Sequence, residues 1–213
     1  MRCFIALELE ERCRELLRVR ITQFHADLRS DHDWPVQLVP PANWHVTVLF
    51  FRDLPKRDHD GVWTEVLRSV EAHVWDDLVF PWEDVELWPN PSRPGLICLA
   101  APPYLDVKRW PLIENATKAP LNQGDVAKLL NFRPHITLMR FKGGRARPYS
   151  QEWKAMATRI PRVPPTAIRF DRVSLLLSDS SPSRPLYTRA FSAPIRPALG
   201  RYAPGSEEAS QMR

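Results

Sequence analysis

Two segments of this chain repeat one pattern, and that repetition constrains the fold more than any other feature. Asn43-Trp44-His45-Val46-Thr47-Val48-Leu49-Phe50 and Phe132-Arg133-Pro134-His135-Ile136-Thr137-Leu138 each carry a histidine, an aliphatic residue, a threonine and a second aliphatic residue. Both lie in hydrophobic runs with the composition of buried strands. Alternate side chains of a strand share a face, so His45, Thr47 and Leu49 are expected on one side and Val46, Val48 and Phe50 on the other. The imidazole and the hydroxyl then stand side by side in each copy. The fold must bring two such strands together.

A single His-x-Thr carries little information, because a strand histidine is most often a satisfied core residue and threonine is simply favoured in strands. Eight threonines and six histidines in 213 residues would produce about 0.2 such pairings by accident. Two in aliphatic strands point instead to one site built from two halves.

The remaining histidines, His25, His32, His59 and His73, fall in helices or polar loops without H-x-x-x-H spacing and read as surface residues. A stable zinc site needs a third or fourth ligand, and the motif strands offer none beside the imidazoles, so no metal is expected. The three cysteines, Cys3, Cys13 and Cys98, are scattered and odd in number, which argues against a disulfide framework. Glycine-rich phosphate loops are missing, and no cofactor is expected.

No apolar run reaches the roughly 20 residues that span a bilayer, and acidic residues soon interrupt the apolar start Cys3–Leu7, unlike a signal peptide. A cytoplasmic monomer without membrane attachment is expected. Net charge is +5, unevenly spread. From Val126 to Gln151 there is no acidic residue, while Lys128, Arg133, Arg140, Lys142, Arg145 and Arg147 all fall inside. Such a block attracts phosphate or is merely a solvated basic loop.

Taken in order, Cys3–Leu9 reads as a strand and Glu10–Leu28 as an amphipathic helix with Cys13, Leu16, Leu17, Ile21, Phe24 and Leu28 on its apolar stripe. Val36–Val39 and Trp44–Phe51 follow as strands, and Asp58–Trp75 as a second helix. Leu78–Trp88, Gly95–Ala100, Arg133–Phe141, Ile168–Leu177 and Leu186–Phe191 read as strands. Tyr104–Lys118 and Gln151–Ile160 read as further helices, and Gly143-Gly144 as a turn. This order implies an α+β protein with mostly antiparallel sheets, one domain over residues 1–194. Residues 195–213 have little to bury and are expected to form a disordered tail.

Two imidazoles and two hydroxyls suit in-line displacement at phosphorus. One histidine accepts a proton from the attacking oxygen and the other donates one to the departing oxygen; an unperturbed pKa of about 6.5 makes both forms accessible near neutrality. Threonine hydroxyls can bind the non-bridging oxygens where charge develops.

The chain resembles the 2H phosphoesterase superfamily, whose mark is two H-x-T-x motifs, here His45-Val46-Thr47-Val48 and His135-Ile136-Thr137-Leu138. Within it, Phe4-Ile5-Ala6-Leu7, the approach Val39 to His45, the run Phe132 to Leu138 and the late segment from Ser178 to Tyr187 are similar to RNA 2′,3′-cyclic phosphodiesterases, also called 2′-5′ RNA ligases. The resemblance implies two lobes related by a pseudo-twofold, with a central cleft and helices outside. It implies metal-independent opening of RNA 2′,3′-cyclic phosphate ends to 2′-phosphates, with His45 as proton donor, His135 as acceptor, and Thr47, Thr137 and Arg140 holding phosphate. Arg140, five places from His135, would face away in a regular strand and would need a bulge, a strand end or a long reach around the edge. Trp44 and Arg52 depart from the family pattern; core and turn are the expected places for them. The same site run backwards would join 2′-5′ ends or cleave them, and a non-catalytic RNA-binding protein using the basic stretch 128–147 is the alternative of another class.

Overall fold

Every side chain of the opening strand, β1 (Cys3–Leu9), is buried, which requires both of its faces to be covered. The computed structural model describes residues 2–30, 34–72, 84–88, 94–101, 133–142, 168–179 and 186–195. After β1 come α1 (Glu11–Ser30), β2 (Val36–Leu38), β3 (His45–Phe51) and α2 (His59–Ala72), then β4 (Asp84–Trp88), β5 (Leu96–Ala100), β6 (His135–Phe141), β7 (Phe170–Asp179) and β8 (Leu186–Pro194). The expected helices Tyr104–Lys118 and Gln151–Ile160, the turn Gly143-Gly144, and the side chains of His32, His73, Lys128, Arg145 and Arg147 lie outside the described residues.

The strands follow the order β4-β5-β6-β3-β1-β7-β8, with β2 also on β6, and every pairing is antiparallel. The two expected sheets are two halves of one ladder. One half is β4-β5-β6 with β2, the other is β3-β1-β7-β8, and Val46↔Ile136 is the pair through which β3 meets β6. Each half therefore contributes one motif strand to the seam. The α+β architecture is as expected from the sequence.

On one face of the sheet Ile5, Leu7, Val46, Val48, Ile136, Leu138, Val173 and Leu175 form a continuous core with Leu17, Ile21, Phe24 and Leu28 of α1 and Trp63 and Val66 of α2. The spacing of the α1 residues by four and three places puts them on one stripe. Each buried aliphatic contributes roughly 1.5–3 kcal/mol, so this stripe, rather than helix propensity, fixes the helix. Leu16, expected on the stripe, is exposed instead, because Leu17 already occupies that turn of the buried face. His59, expected at the surface, is buried at the start of α2, its Nε2 3.4 Å from the Leu54 carbonyl oxygen. Ile195, expected in the tail, is buried, and its N–H donates to the Asp171 carbonyl at 2.8 Å. Residues 196–213 lie outside the described residues.

Strict alternation fails in both motif strands at the same place. β1 pairs Ile5 with Leu49 but Ala6 with Thr47, leaving Val48 as the extra residue of a β-bulge. β5 pairs Ile97 with Met139 but Cys98 with Thr137, leaving Leu138 as the extra residue. A bulge sets two residues against one and reverses the facing of everything beyond it. Val48 and Leu49 are consequently both buried, as are Leu138 and Met139. Leu49 does not share the face of His45 and Thr47, contrary to the alternation read from sequence. Phe50 and Arg140 take that face instead.

Candidate active site

The antiparallel register that pairs Val46 with Ile136 sets His45 level with Thr137 and His135 level with Thr47. Val46 and Ile136 are fully buried in the core, so the histidines and threonines emerge together on the opposite face. There they line one cavity of about 230 Å³ together with Arg140 and Tyr187. Every residue assigned to the site from sequence is thus brought to one place. Arg140 reaches it because of the bulge at Leu138.

Each imidazole is anchored in the same way. His45 Nδ1–H donates to the Asn43 carbonyl at 2.7 Å, and His135 Nδ1–H donates to the Arg133 carbonyl at 3.0 Å. Both acceptors lie two residues earlier, as a twofold relation between the motifs demands. A carbonyl can only accept, so it fixes the proton on Nδ1 and leaves Nε2 for chemistry. His45 Nε2 lies 3.1 Å from the Thr47 hydroxyl; His135 Nε2 has no hydrogen-bond partner among the described residues.

Aromatic rings hold both imidazoles from the side. Phe4 of β1 stacks on His45 with centroids 4.9 Å apart, and Tyr187 of β8 meets its edge at 5.4 Å. Trp88 of β4 stacks on His135 at 5.1 Å. Nothing in the sequence singles out Phe4 or Trp88 as site residues, because their contacts run between strands far apart in the chain.

Electrostatics separate the two histidines. Burial drives His45 down to about 4, against the opposing effects of the Asn43 carbonyl and the Glu8 carboxylate. His135 is also lowered, by burial first and then by the nearby Arg133 and Arg140 guanidinium groups, with the Arg133 carbonyl opposing. In the free protein both imidazoles are neutral at pH 7.

Of the cations in the basic stretch that are described, Arg133 does not face the cleft. Its guanidinium forms a bidentate pair with Glu86 at 2.8 and 2.7 Å, donates to the Ala101 carbonyl at 3.0 Å and lies 5.7 Å from the Trp88 ring centroid. Its structural role is to carry Trp88 against His135. Arg140 is the guanidinium turned to the cavity. Trp44 is 1% exposed and belongs to the core, and Arg52 sits in an exposed bend. Among the described residues no group of three His, Cys, Asp or Glu side chains is placed to hold a metal ion, and no helix is long and apolar enough to cross a membrane.

No protein-family model matches the chain. Over 201 residues it is 29% identical to the RNA 2′,3′-cyclic phosphodiesterase of Methanothermobacter thermautotrophicus, covering 88% of this chain and 95% of that protein. Among solved structures, TT0787 of Thermus thermophilus superposes with a TM-score of 0.60 at 21% identity, covering 93% of this chain and all of that one. LigT of E. coli complexed with phosphate superposes with a TM-score of 0.52 at 18% identity, over 91% and 96% of the two chains. The solved structures establish the shared fold, and the curated relative extends the likeness along nearly the whole sequence. With both H-x-T-x motifs facing each other across one cleft, the chain is similar to the 2H phosphoesterases and to their 2′-5′ RNA ligase family.

Proposed function

We propose that this chain hydrolyses RNA 2′,3′-cyclic phosphate ends to 2′-phosphate ends without a metal ion. The observation that carries this reading is the pair of Nδ1-anchored imidazoles, His45 and His135, lining one cavity from twofold-related strands. The cyclic phosphate occupies the space between them. His135 Nε2 takes a proton from water as its oxygen attacks phosphorus. His45, protonated on Nε2, passes that proton to the 3′ oxygen as the P–O3′ bond breaks. The products are a 2′-phosphate and a free 3′-hydroxyl.

Thr47, Thr137 and Arg140 hold the non-bridging oxygens, where hydrogen-bond donors in a partly desolvated cleft act most strongly. The phosphodiester is itself the counter-charge that lets His45 hold a proton. Burial opposes a lone imidazolium in the free protein, and an anion within about 4–6 Å favours the charged form. Asymmetry in the fixed charges supports this division of roles. The Glu8 carboxylate favours the charged form of His45, with His135 and Arg140 opposing it, whereas the charges acting on His135 are the guanidinium groups of Arg133 and Arg140, which disfavour its charged form.

The test is incubation with an oligonucleotide carrying a 2′,3′-cyclic phosphate, in the presence of EDTA, followed by mapping of the product end. A 2′-phosphate is expected. Loss of activity in chelator, or a 3′-phosphate product, overturns the reading. A 2′-5′-joined product from ends supplied together shifts it to the ligase direction.

A further inference from the structure

We propose that Glu8 is the positioning residue that gives the two histidines different roles, by biasing His45 toward its protonated form. The inference rests on the acid–base reading above. β1 pairs Glu8 with His45, and directly opposed residues of an antiparallel pair project their side chains to the same face, about 5 Å apart at the backbone. His135 has Ala100 of β5 at the corresponding place, so the twofold symmetry of the motifs breaks at this position. One histidine has a carboxylate beside it and the other a methyl group.

A buried carboxylate is costly unless it is paired, and Glu8 is held in place by an extensive clamp. Ser174 of β7 donates its hydroxyl to Oε1, and Arg189 of β8 donates Nε–H to Oε1 at 2.9 Å and Nη2–H to Oε2. The Ser174 hydroxyl oxygen lies in turn 3.1 Å from that of Ser192. Glu8 is 5% exposed, while the Arg189 side chain is 54% exposed, so water screens the cation far more than the carboxylate. The clamp keeps Glu8 ionised: burial opposes ionisation, but Arg189, Ser174 and Arg172 together lower its pKa.

The groups that face His45 are Glu8 and Phe4 from β1, Thr47 from its own strand, His135 and Arg140 from β6, and Tyr187 from β8. Of these charges, Glu8 is the largest influence on the ring and the one that favours its cationic form; His135 and Arg140 oppose it. Glu8 itself is faced by Ser174 and Arg172 of β7 and by Arg189 of β8. A role confined to stability would not require the carboxylate to stand beside an active-site imidazole, and such a role would leave the titration of that imidazole unmoved.

The experiment compares the pH profile of kcat/KM for a 2′,3′-cyclic nucleotide in wild type, Glu8→Gln and Glu8→Asp, and follows the His45 ring by NMR titration in sulfate buffer. Because His45 is the more depressed of the two histidines in the free protein, the lower-pH limb of kcat/KM follows its titration. Glu8→Gln is expected to move that limb, and the His45 titration, down by roughly half a pH unit, and Glu8→Asp to restore most of it. Glu65→Gln, an exposed charge loss on α2, should leave both unmoved. If Glu8→Gln does not fold, the double variant Glu8→Gln, Arg189→Met removes the pair together and should shift the limb in the same direction. Unchanged titration of His45 in the folded variants overturns the proposal, even if activity falls. Should the wild type leave the cyclic phosphate intact, the acid–base reading fails, and the NMR arm alone still decides whether Glu8 biases His45.

Discussion

Val46 and Ile136 pair across the seam between the two halves of the sheet, and each is the residue that follows a motif histidine. The candidate active site is thereby centred on a single backbone pairing whose side chains are wholly buried. Ile136→Ala should cost about 2–5 kcal/mol of stability, the usual range for truncating a buried isoleucine. Because the cavity lies beneath both motifs, kcat should also fall at temperatures where the variant is fully folded. Denaturant midpoints and steady-state kinetics check the two effects; a stability loss with unchanged kcat would separate the seam from catalysis.

Arg140 and Arg133 should behave differently despite their proximity in sequence. Arg140→Met is expected to raise KM by about tenfold, near the 1.4 kcal/mol of a modest charge-assisted contact, and to weaken the salt dependence of kcat/KM. Arg133→Met leaves Glu86 without its bidentate partner and Trp88 without its cation. It should lower thermal stability first and disturb His135 as a consequence. Initial rates across an ionic-strength series and a thermal melt distinguish the two.

Anion binding should draw in protons. Both imidazoles are depressed in the free protein, so an anion between them raises the proton affinity of the site. Sulfate, which does not titrate near neutrality, should bind around neutral pH with net proton uptake. Calorimetry in buffers of different ionisation enthalpy reads this directly; observed heats that do not vary with the buffer's ionisation enthalpy would contradict it.

The same depression makes the fold acid-sensitive. Below about pH 6.5 the unfolded chain protonates His45 before the native state does, so stability falls as pH drops toward about 4 and levels off below it. His45→Gln removes that contribution. The variant should lose less stability than wild type across that window in chemical denaturation, and parallel losses would argue against a buried neutral imidazole.

The fold class, the motif strands and the candidate-site residues are legible in the sequence because they depend on local pattern: hydrophobic periodicity, and two copies of an unusual tetrad. Arg140 shows where pattern alone gives out. Val48-Leu49 and Leu138-Met139 read as continuing alternation, yet the bulges that seat both residues of each pair in the core arise from pairing with β1 and β5. Glu8 is a second case. Nothing adjacent to it in sequence signals a buried carboxylate, because its partners Ser174 and Arg189 come from strands at the other end of the chain. His59 reads as exposed for a related reason: a helix N-terminal position suggests solvent, whereas the packing of α2 against the preceding turn buries it.

If His45 and His135 act as one acid–base couple, neither can be spared and their losses cannot multiply. The decisive comparison is the hydrolysis rate of a 2′,3′-cyclic-phosphate oligonucleotide in chelator by wild type, His45→Ala, His135→Ala and the double variant, each verified as folded by circular dichroism. Each single substitution is expected to reduce kcat by about 10²–10⁴-fold, and the double variant to lose much less than the product of the two, as groups acting in one step do. Full activity in either single variant would contradict the couple.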